Sequence, residues 1–435
     1  MTALDSQRRM RTMAAGMAGL LVLGAAPILV YYGVDVLRNS KAGTEAKKIP
    51  EVKFPSTPTA MLAVVNDQQV VTALAVLVLA PGTGKGGTLV SIPTNASRAQ
   101  TADDQIVPVA DSLIKSGADG LVSDVESLSN VTINFNAIAT EPNSATLLAP
   151  AGSLSVTLPN AVVTTRADGA SASLFPAGAA TLSSAQVASV LAANDPTKPA
   201  AGHLADVRAV WNGLAAAVGV GIQPNAVSST PPTNFDEFLL HFFAGPIQVY
   251  NNLDAAPISG SVNPNNSDVG SLDRATVVLV MAGLAPGAMI APYPSQSFRI
   301  ENGMTDADVA AAGLTGLTSA DLSRNIVGRL LFLQNNVISV SPEVFTLETN
   351  QVPAKTLIYI ANDVQAAESQ AYTDLFGPVT FLKPAISFPL VDIVVVVGRS
   401  YLEEIKKNLQ NSPITAKPGS TATTVVGPTA TTVSP

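Results

Sequence analysis

Between Val71 and Ser97 the chain reads VTALAVLVLAPGTGKGGTLVSIPTNAS: a nine-residue apolar run, a Gly/Pro turn, a shorter apolar run and a polar end. Runs of this length bounded by turn residues predict two paired strands, with Thr94, Asn95 and Ser97 placed where the second strand leaves its sheet. Upstream, MLAVV (61–65) predicts another strand. Downstream, Leu121, Val125 and Leu128 recur at i, i+4 and i+7, the stripe of an amphipathic helix that stops near Asn130. In VTINFNAI, Val131, Ile133 and Phe135 alternate with Thr132, Asn134 and Asn136, which predicts a half-buried strand, and SLSVTLP predicts another through Leu154, Val156 and Leu158.

Ser183 and Gln186 stand at capping-box spacing and open a helix through Leu191. Leu204, Val207, Trp211, Leu214 and Val218 share one helical face, as do Phe235, Phe238, Leu239 and Phe242. Core packing accounts for these aromatics. Residues 254–270 read as a surface loop, 271–284 as an apolar helix or strand, and Pro286, Pro292 and Pro294 as a boundary. Beyond it strand and helix alternate: FRI, a helix over 319–333, VISV, TLIYI, a helix over 364–376, and the β-branched VDIVVVVG, the mark of a strand covered on both faces.

The ends of the chain follow different rules. Residues 1–12 are polar with Arg8, Arg9 and Arg11, and 13–34 are uncharged and apolar, about the ~20 residues that span a bilayer. Arginines ahead of the span place the N-terminus in the cytoplasm and the bulk of the chain outside it. A cleaved signal peptide is the rival reading, but the apolar run continues through Val34, beyond the small residues at 24–26. Residues 35–59 read as a linker, and 408–435 are Ser/Thr/Pro-rich, too poor in large apolar groups to build a core.

Charge and composition narrow the chemistry. A net charge of -8 over 435 residues, with no Lys/Arg cluster, argues against nucleic acid as a partner. The absence of cysteine excludes disulfides and thiolate chemistry, and two histidines, His203 and His241, make a zinc site or a Ser-His-Asp triad poor expectations. PGTGKGG (81–87) has Leu79 where a phosphate loop needs Gly and Gly86 where it needs Ser or Thr, so it reads as a hairpin turn. Asp103-Asp104 and Asp306/Asp308 are acidic pairs in loops without convergent ligands, and no metal or other cofactor is expected.

The order of these segments resembles the LytR-CpsA-Psr family. ALAVLVLAPGTGKGGTLVSIPTNAS is similar to its paired strands ending in S-I-P-R-D, LFPAGAATLSSAQVASVLAAND to its capped helix, and HLADVRAVWNGL to its arginine-bearing helix. Residues 298–402, with Asn302-Gly303, resemble the small C-terminal domain often appended to these proteins. The resemblance implies an α/β fold: a central mixed sheet flanked by helices over 60–290 and a second small α/β domain over 296–403. It also implies a single-pass membrane protein that transfers glycopolymers from polyprenyl pyrophosphate carriers to peptidoglycan, with arginines and an aspartate-held divalent cation stabilising the diphosphate.

This copy departs from that pattern where charge matters. The expected aspartate falls on Ala73, the Arg-Asp of the signature on Thr94 and Asn95, and the arginines after the capped helix on Ala192 and Asn194. Arg208 keeps its place, and Arg98, Lys85 and Arg166 are candidate substitutes for binding a ligand. The reading is a protein of envelope polymer assembly that binds polyprenyl-linked or wall polymer, or scaffolds its handling, without catalysis. The alternatives are an active transferase, which would need Mg2+, and a partner-binding module in the C-terminal domain.

Overall fold

The computed structural model describes residues 49–98, 106–165, 169–195, 200–228, 230–260, 263–347 and 351–411. The expected span 13–34, the tail beyond 411, Asp103, Asp104 and Arg166 lie outside them. Among the described residues no helix is long and apolar enough to cross a membrane.

The first sheet is built on β1 (Thr59–Val65), β2 (Val71–Leu79) and β3 (Gly87–Ile92), an antiparallel meander. Two further strands join in parallel at its edges, β4 (Phe135–Ala139) beside β1 and β9 (Ile247–Tyr250) beside β3, giving the order β4-β1-β2-β3-β9. Every residue of β1 and β2 is buried, because alternate side chains feed two cores. Leu74, Val76 and Val78 enter one, and Ala73, Ala75, Leu77 and Leu79 the other.

Helices cover both faces. α1 (Ser112–Ser129), kinked at Gly117, supplies Leu121 and Val125 to the first core and ends on Asn130 in the left-handed region, φ 59°. α2 (Glu141–Leu148), α3 (Ser184–Ala192), α4 (Ala200–Val218) and α5 (Phe235–Phe243) serve the second. The Ser183/Gln186 capping box is fully formed at the start of α3. Trp211, Phe238 and Phe242 are completely or almost completely buried there, and Phe238 stacks on Phe242 at 6.1 Å between ring centroids. Paired ribbons flank this layer, β5 (Leu154–Leu158) with β8 (Gly178–Leu182) and β6 (Val162–Thr165) with β7 (Ser171–Phe175), while β10 (Ala255–Pro257) pairs with β11 (Gly270–Leu272), whose Gly270 bridges Ala96.

Segment 271–284, open between helix and strand in the sequence, leaves β11 at Leu272 and is a helix from Arg274, α6 (Arg274–Leu284), where Asp273 caps it by accepting from the Ala275 N–H at 3.1 Å. Its apolar residues are too many for one face. Val277, Val278, Met281 and Ala282 belong to a core that continues from the first sheet into the second. That second sheet has the order β13-β12-β16-β14-β15, from β12 (Ser297–Glu301), β13 (Asn336–Ser341), β14 (Thr356–Ile360), β15 (Val379–Leu382) and β16 (Ile393–Val396). Around it lie α7 (Asp306–Ala311), α8 (Ser319–Phe332), α9 (Ala366–Phe376) and α10 (Ser400–Asn411). The architecture is thus mixed α/β, with two five-stranded sheets flanked by helices.

Two polar clusters fix the second sheet. Arg299 donates through Nε to Glu301 Oε1 and through Nη1 to Ser339 Oγ, both at 2.8 Å, under the Phe388 ring at 4.3 Å. The other Glu301 oxygen accepts the backbone N–H groups of Phe345 and Thr346, so this buried carboxylate is fully engaged. Asn302 reaches α8 through Ser319 and Ser323, and Gly303 lies so close to Val344 that a Cβ would stand 2.6 Å from its Cγ2. In a separate compact unit, Glu51 bridges Ser387, with Val52 N–H donating to the Ser387 carbonyl at 2.8 Å.

Candidate functional site

The sheet register decides which candidate residues can meet. β2 starts where β3 ends, since Leu74 pairs with Ile92, and β9 runs parallel to β3, so its exit at Tyr250 lies at that same end. Ala73, Thr94, Asn95 and the loop after β9 are therefore gathered at one end of the sheet. α3 delivers Ala192 there: the Thr72 hydroxyl donates to the Leu191 carbonyl at 2.7 Å and ties the start of β2 to the last turn of the helix. Asn194 follows, paired through its backbone with Thr165. The positions assigned by resemblance thus converge, and they converge without their charges.

α4 brings Arg208 to this end. Its Nη1 donates to Asp254 Oδ1 at 2.8 Å and its Nη2 to the Leu253 carbonyl at 2.6 Å, while Nε is buried with no hydrogen-bond partner among the described residues. Arg208 and Asn212 also border a cavity of about 410 Å³ against β5. Asp254 is 78% exposed, so the guanidinium is neutralised by a partner that itself faces water.

The Thr94 backbone and the Asn95 backbone and side chain are tied into the surrounding loops. The Thr94 carbonyl accepts the Ala110 N–H, and the Asn95 carbonyl accepts that of Gly270. Asn95 Nδ2 donates to Asp268 Oδ1 at 3.1 Å, and the second Asp268 oxygen accepts the backbone N–H of Ala200 at the start of α4. A carboxylate at a helix N-terminus faces the positive end of the helix dipole. The donor set does not fit a divalent cation: a methyl and an amide stand where the resemblance expects carboxylates, and both oxygens of the nearby acid are engaged. Among the described residues no three His, Asp or Glu side chains come together as ligands.

The remaining candidates point elsewhere. Arg98 Nη1 donates to Ser116 Oγ at 3.0 Å and lies 3.7 Å from Asp124, which holds it against α1 on the sheet face opposite α4. Lys85 sits in the turn between β2 and β3, the far end of the sheet, where Nζ donates to the Pro224 carbonyl at 2.6 Å. From there to Thr94 is the length of β3, roughly 20 Å at ~3.3 Å per residue. Lys85, Arg98 and Arg208 are not one cradle. The PGTGKGG segment is a hairpin turn packed on α5: Gly86, at φ 72°, approaches the Pro246 carbonyl so closely that a Cβ would stand 2.4 Å from its oxygen. His241, at the edge of the core, meets the Gly84 carbonyl through Nδ1 at 2.9 Å.

Asp306 and Asp308 are helix caps, not cation ligands. Asp308 completes a capping box with Thr305, whose hydroxyl and N–H hold its carboxyl below the ordinary range, and Asp306 accepts the Ser319 N–H. Sequence reasoning missed Asp254 and Asp268, the acids that occupy Arg208 and Asn95. Both lie in loops that carry no periodicity.

No protein-family profile and no curated protein matches the chain. Among solved structures it is similar to TagV of B. subtilis, at 13% identity over 52% of this chain and 94% of that one, with a TM-score of 0.37. It is similar to TagT bound to LIIa-WTA, at 13% identity over 52% and 88% of the two chains, TM-score 0.36. A third is a LytR-Csp2A-Psr enzyme from Actinomyces oris, at 14% identity over 46% and 75%, TM-score 0.29. These structural neighbours are LytR-CpsA-Psr proteins, the family that the order of sequence segments resembles.

Proposed function

We propose that this chain is a membrane-anchored, extracytoplasmic protein of envelope glycopolymer assembly that binds a polyprenyl-linked or wall polymer without cleaving its diphosphate. One observation carries the reading. The sheet end where the resemblance places phosphate-handling groups presents Ala73, Thr94, Asn95, Ala192 and Asn194, and the arginine that α4 brings there, Arg208, is already paired with Asp254.

Cleaving a pyrophosphate linkage requires the developing negative charge to be stabilised by donors fixed in advance. Removing one such donor costs about 2.7–4 kcal/mol of barrier, or roughly 10²–10³ in rate. Two lost together, if independent, cost about 5–8 kcal/mol, a factor on the order of 10⁴–10⁶. Binding has weaker requirements. An arginine bordering a cavity holds an anion by charge-assisted hydrogen bonds without any transition-state complementarity. The uncharged stretch 13–34, with arginines before it, supports the anchor and the orientation.

The test is equilibrium binding of a polyprenyl pyrophosphate-linked glycan to the full-length chain. The wild type should bind, and Arg208→Ala should bind about ten- to a hundredfold more weakly, the scale of one or two charge-assisted bonds. Asp254→Ala, at an exposed position, should bind more tightly by freeing the guanidinium. Equal affinity in all three proteins would remove Arg208 from the site. No binding by the wild type would overturn the reading.

A further inference from the structure

We infer that the cavity at the entry to β1 and β4 is a binding site for a neutral sugar unit. It holds about 610 Å³, within the range of small-molecule sites. Thr57 and Pro58 lead into β1 there, and Asn134 and Phe135 into β4. Since Thr59 pairs with Val78, this is the opposite end of the sheet from Thr94, roughly 20 Å away at ~3.3 Å per residue. The site shares no residue with the one containing Arg208, and its failure would leave the function proposed above standing.

The lining selects the ligand. Among the described residues no Asp, Glu, Lys, Arg or His borders the cavity, so a phosphate or carboxylate would lose its hydration there without a charged partner. Ser56, Thr57, Thr132 and Asn134 border it instead, beside the rings of Phe54 and Phe135. A lipid chain would leave these hydroxyl and amide groups unpaired. An extended peptide needs backbone partners in series, and Pro55, Pro58 and Pro232 offer no N–H. A sugar ring carries apolar C–H faces and hydroxyls that both donate and accept, the combination this lining satisfies. The polar groups are ready for it. Asn134 Oδ1 accepts the Thr59 N–H at 3.0 Å, which leaves Nδ2 to donate. Thr57 is 5% exposed and its hydroxyl has no partner among the described residues, so turning it toward a ligand breaks no bond within the chain.

A further wall is strained. Residues 388–391 form a turn closed by the Val391 N–H donating to the Phe388 carbonyl at 3.3 Å, with Pro389 second and Leu390 third at φ 59°. The third place at positive φ ordinarily belongs to glycine. A leucine held there is strained and, at 67% exposed, recovers little by burial. Leu390 borders the cavity, where its side chain is placed to cover an apolar sugar face.

Calorimetric titration of the full-length chain with two neutral trisaccharides, tri-N-acetylchitotriose and maltotriose, tests the inference. At least one should bind. The deacetylated, cationic form of the first should bind at least tenfold more weakly than the better neutral sugar, although a chain of net charge -8 attracts cations in general. Thr57→Val should weaken binding about three- to tenfold, the scale of one neutral hydrogen bond, and Ser56→Trp, at an exposed position, should abolish it by filling the cavity. Leu390→Gly should weaken binding while its thermal melt holds or rises, a combination that a purely structural leucine does not give. In protein labelled at its methionine methyl groups, the sugar should shift the Met289 signal, identified by Met289→Leu, because Met289 borders the cavity. Binding of neither neutral sugar, tighter binding of the cationic one, or binding that leaves Met289 unmoved and survives Ser56→Trp would overturn the inference.

Discussion

Trp211 offers the sharpest perturbation of the layer beneath the first sheet. Its side chain is completely buried among the second core, and its indole Nε1 has no hydrogen-bond partner among the described residues. Burying about 250 Å² of indole at ~25 cal/mol per Å² contributes about 6 kcal/mol. An unsatisfied buried donor costs about 1–3 kcal/mol, which leaves a net of about 3–5 kcal/mol. Trp211→Ala should therefore destabilise by about 3–5 kcal/mol, in the range of aromatic truncations. Trp211→Phe should behave differently. A phenyl ring buries about 200 Å², worth about 5 kcal/mol, and carries no stranded donor, so the variant should lie between about equal to the wild type and about 2 kcal/mol more stable. Urea unfolding followed by far-UV circular dichroism measures both, since Trp211 is the chain's only tryptophan and its fluorescence vanishes with the substitution. If Trp211→Phe costs as much as Trp211→Ala, the indole N–H has a partner, and the description of this layer as a closed apolar core is wrong.

Other perturbations test the polar framework. Arg299→Ala leaves Glu301 buried beside an empty space and should cost about 3–5 kcal/mol in denaturant unfolding, as broken buried ion pairs do. Gly303→Ala drives a methyl into Val344 and should cost about 1–3 kcal/mol by the same measurement. Asn95→Asp sets a second carboxylate against Asp268 and replaces a hydrogen bond with repulsion; its thermal midpoint should fall and recover on adding Mg2+, while that of the wild type stays fixed. Asp308 has its carboxyl lowered by the Thr305 hydroxyl and N–H, so its contribution is complete above the ordinary carboxylate pKa and lost as pH falls through the lowered value. The gap in urea midpoint between wild type and Asp308→Asn should accordingly narrow as pH falls below about 4.

What the sequence makes legible depends on how local the physics is. β2 and β3 can be read directly, because a buried central strand needs an apolar residue at nearly every position. The Ser183/Gln186 box and the Trp211 face of α4 are equally local. The strand over 131–138 is misplaced by periodicity. Its first residues alternate, yet the ladder with β1 starts at Phe135, because Val131 bridges Met289 instead and Ile133 N–H donates to Glu126 Oε1. β9 is only four residues long and pairs with a strand far earlier in the chain, so no pattern marks it. The site follows the same rule. The sheet register brings Ala73, Thr94 and Asn95 to one end, but Asp254 and Asp268 act across loops, where sequence spacing carries no geometry.

The claim on which the account rests is that a diphosphate is held at this sheet end without being split. The direct measurement is a single-turnover experiment, with full-length protein in excess over a radiolabelled polyprenyl pyrophosphate-linked glycan, Mg2+ and peptidoglycan acceptor present. The lipid-linked glycan should stay bound and be recovered intact. Stoichiometric release of polyprenyl phosphate, abolished by Arg208→Ala, would contradict it.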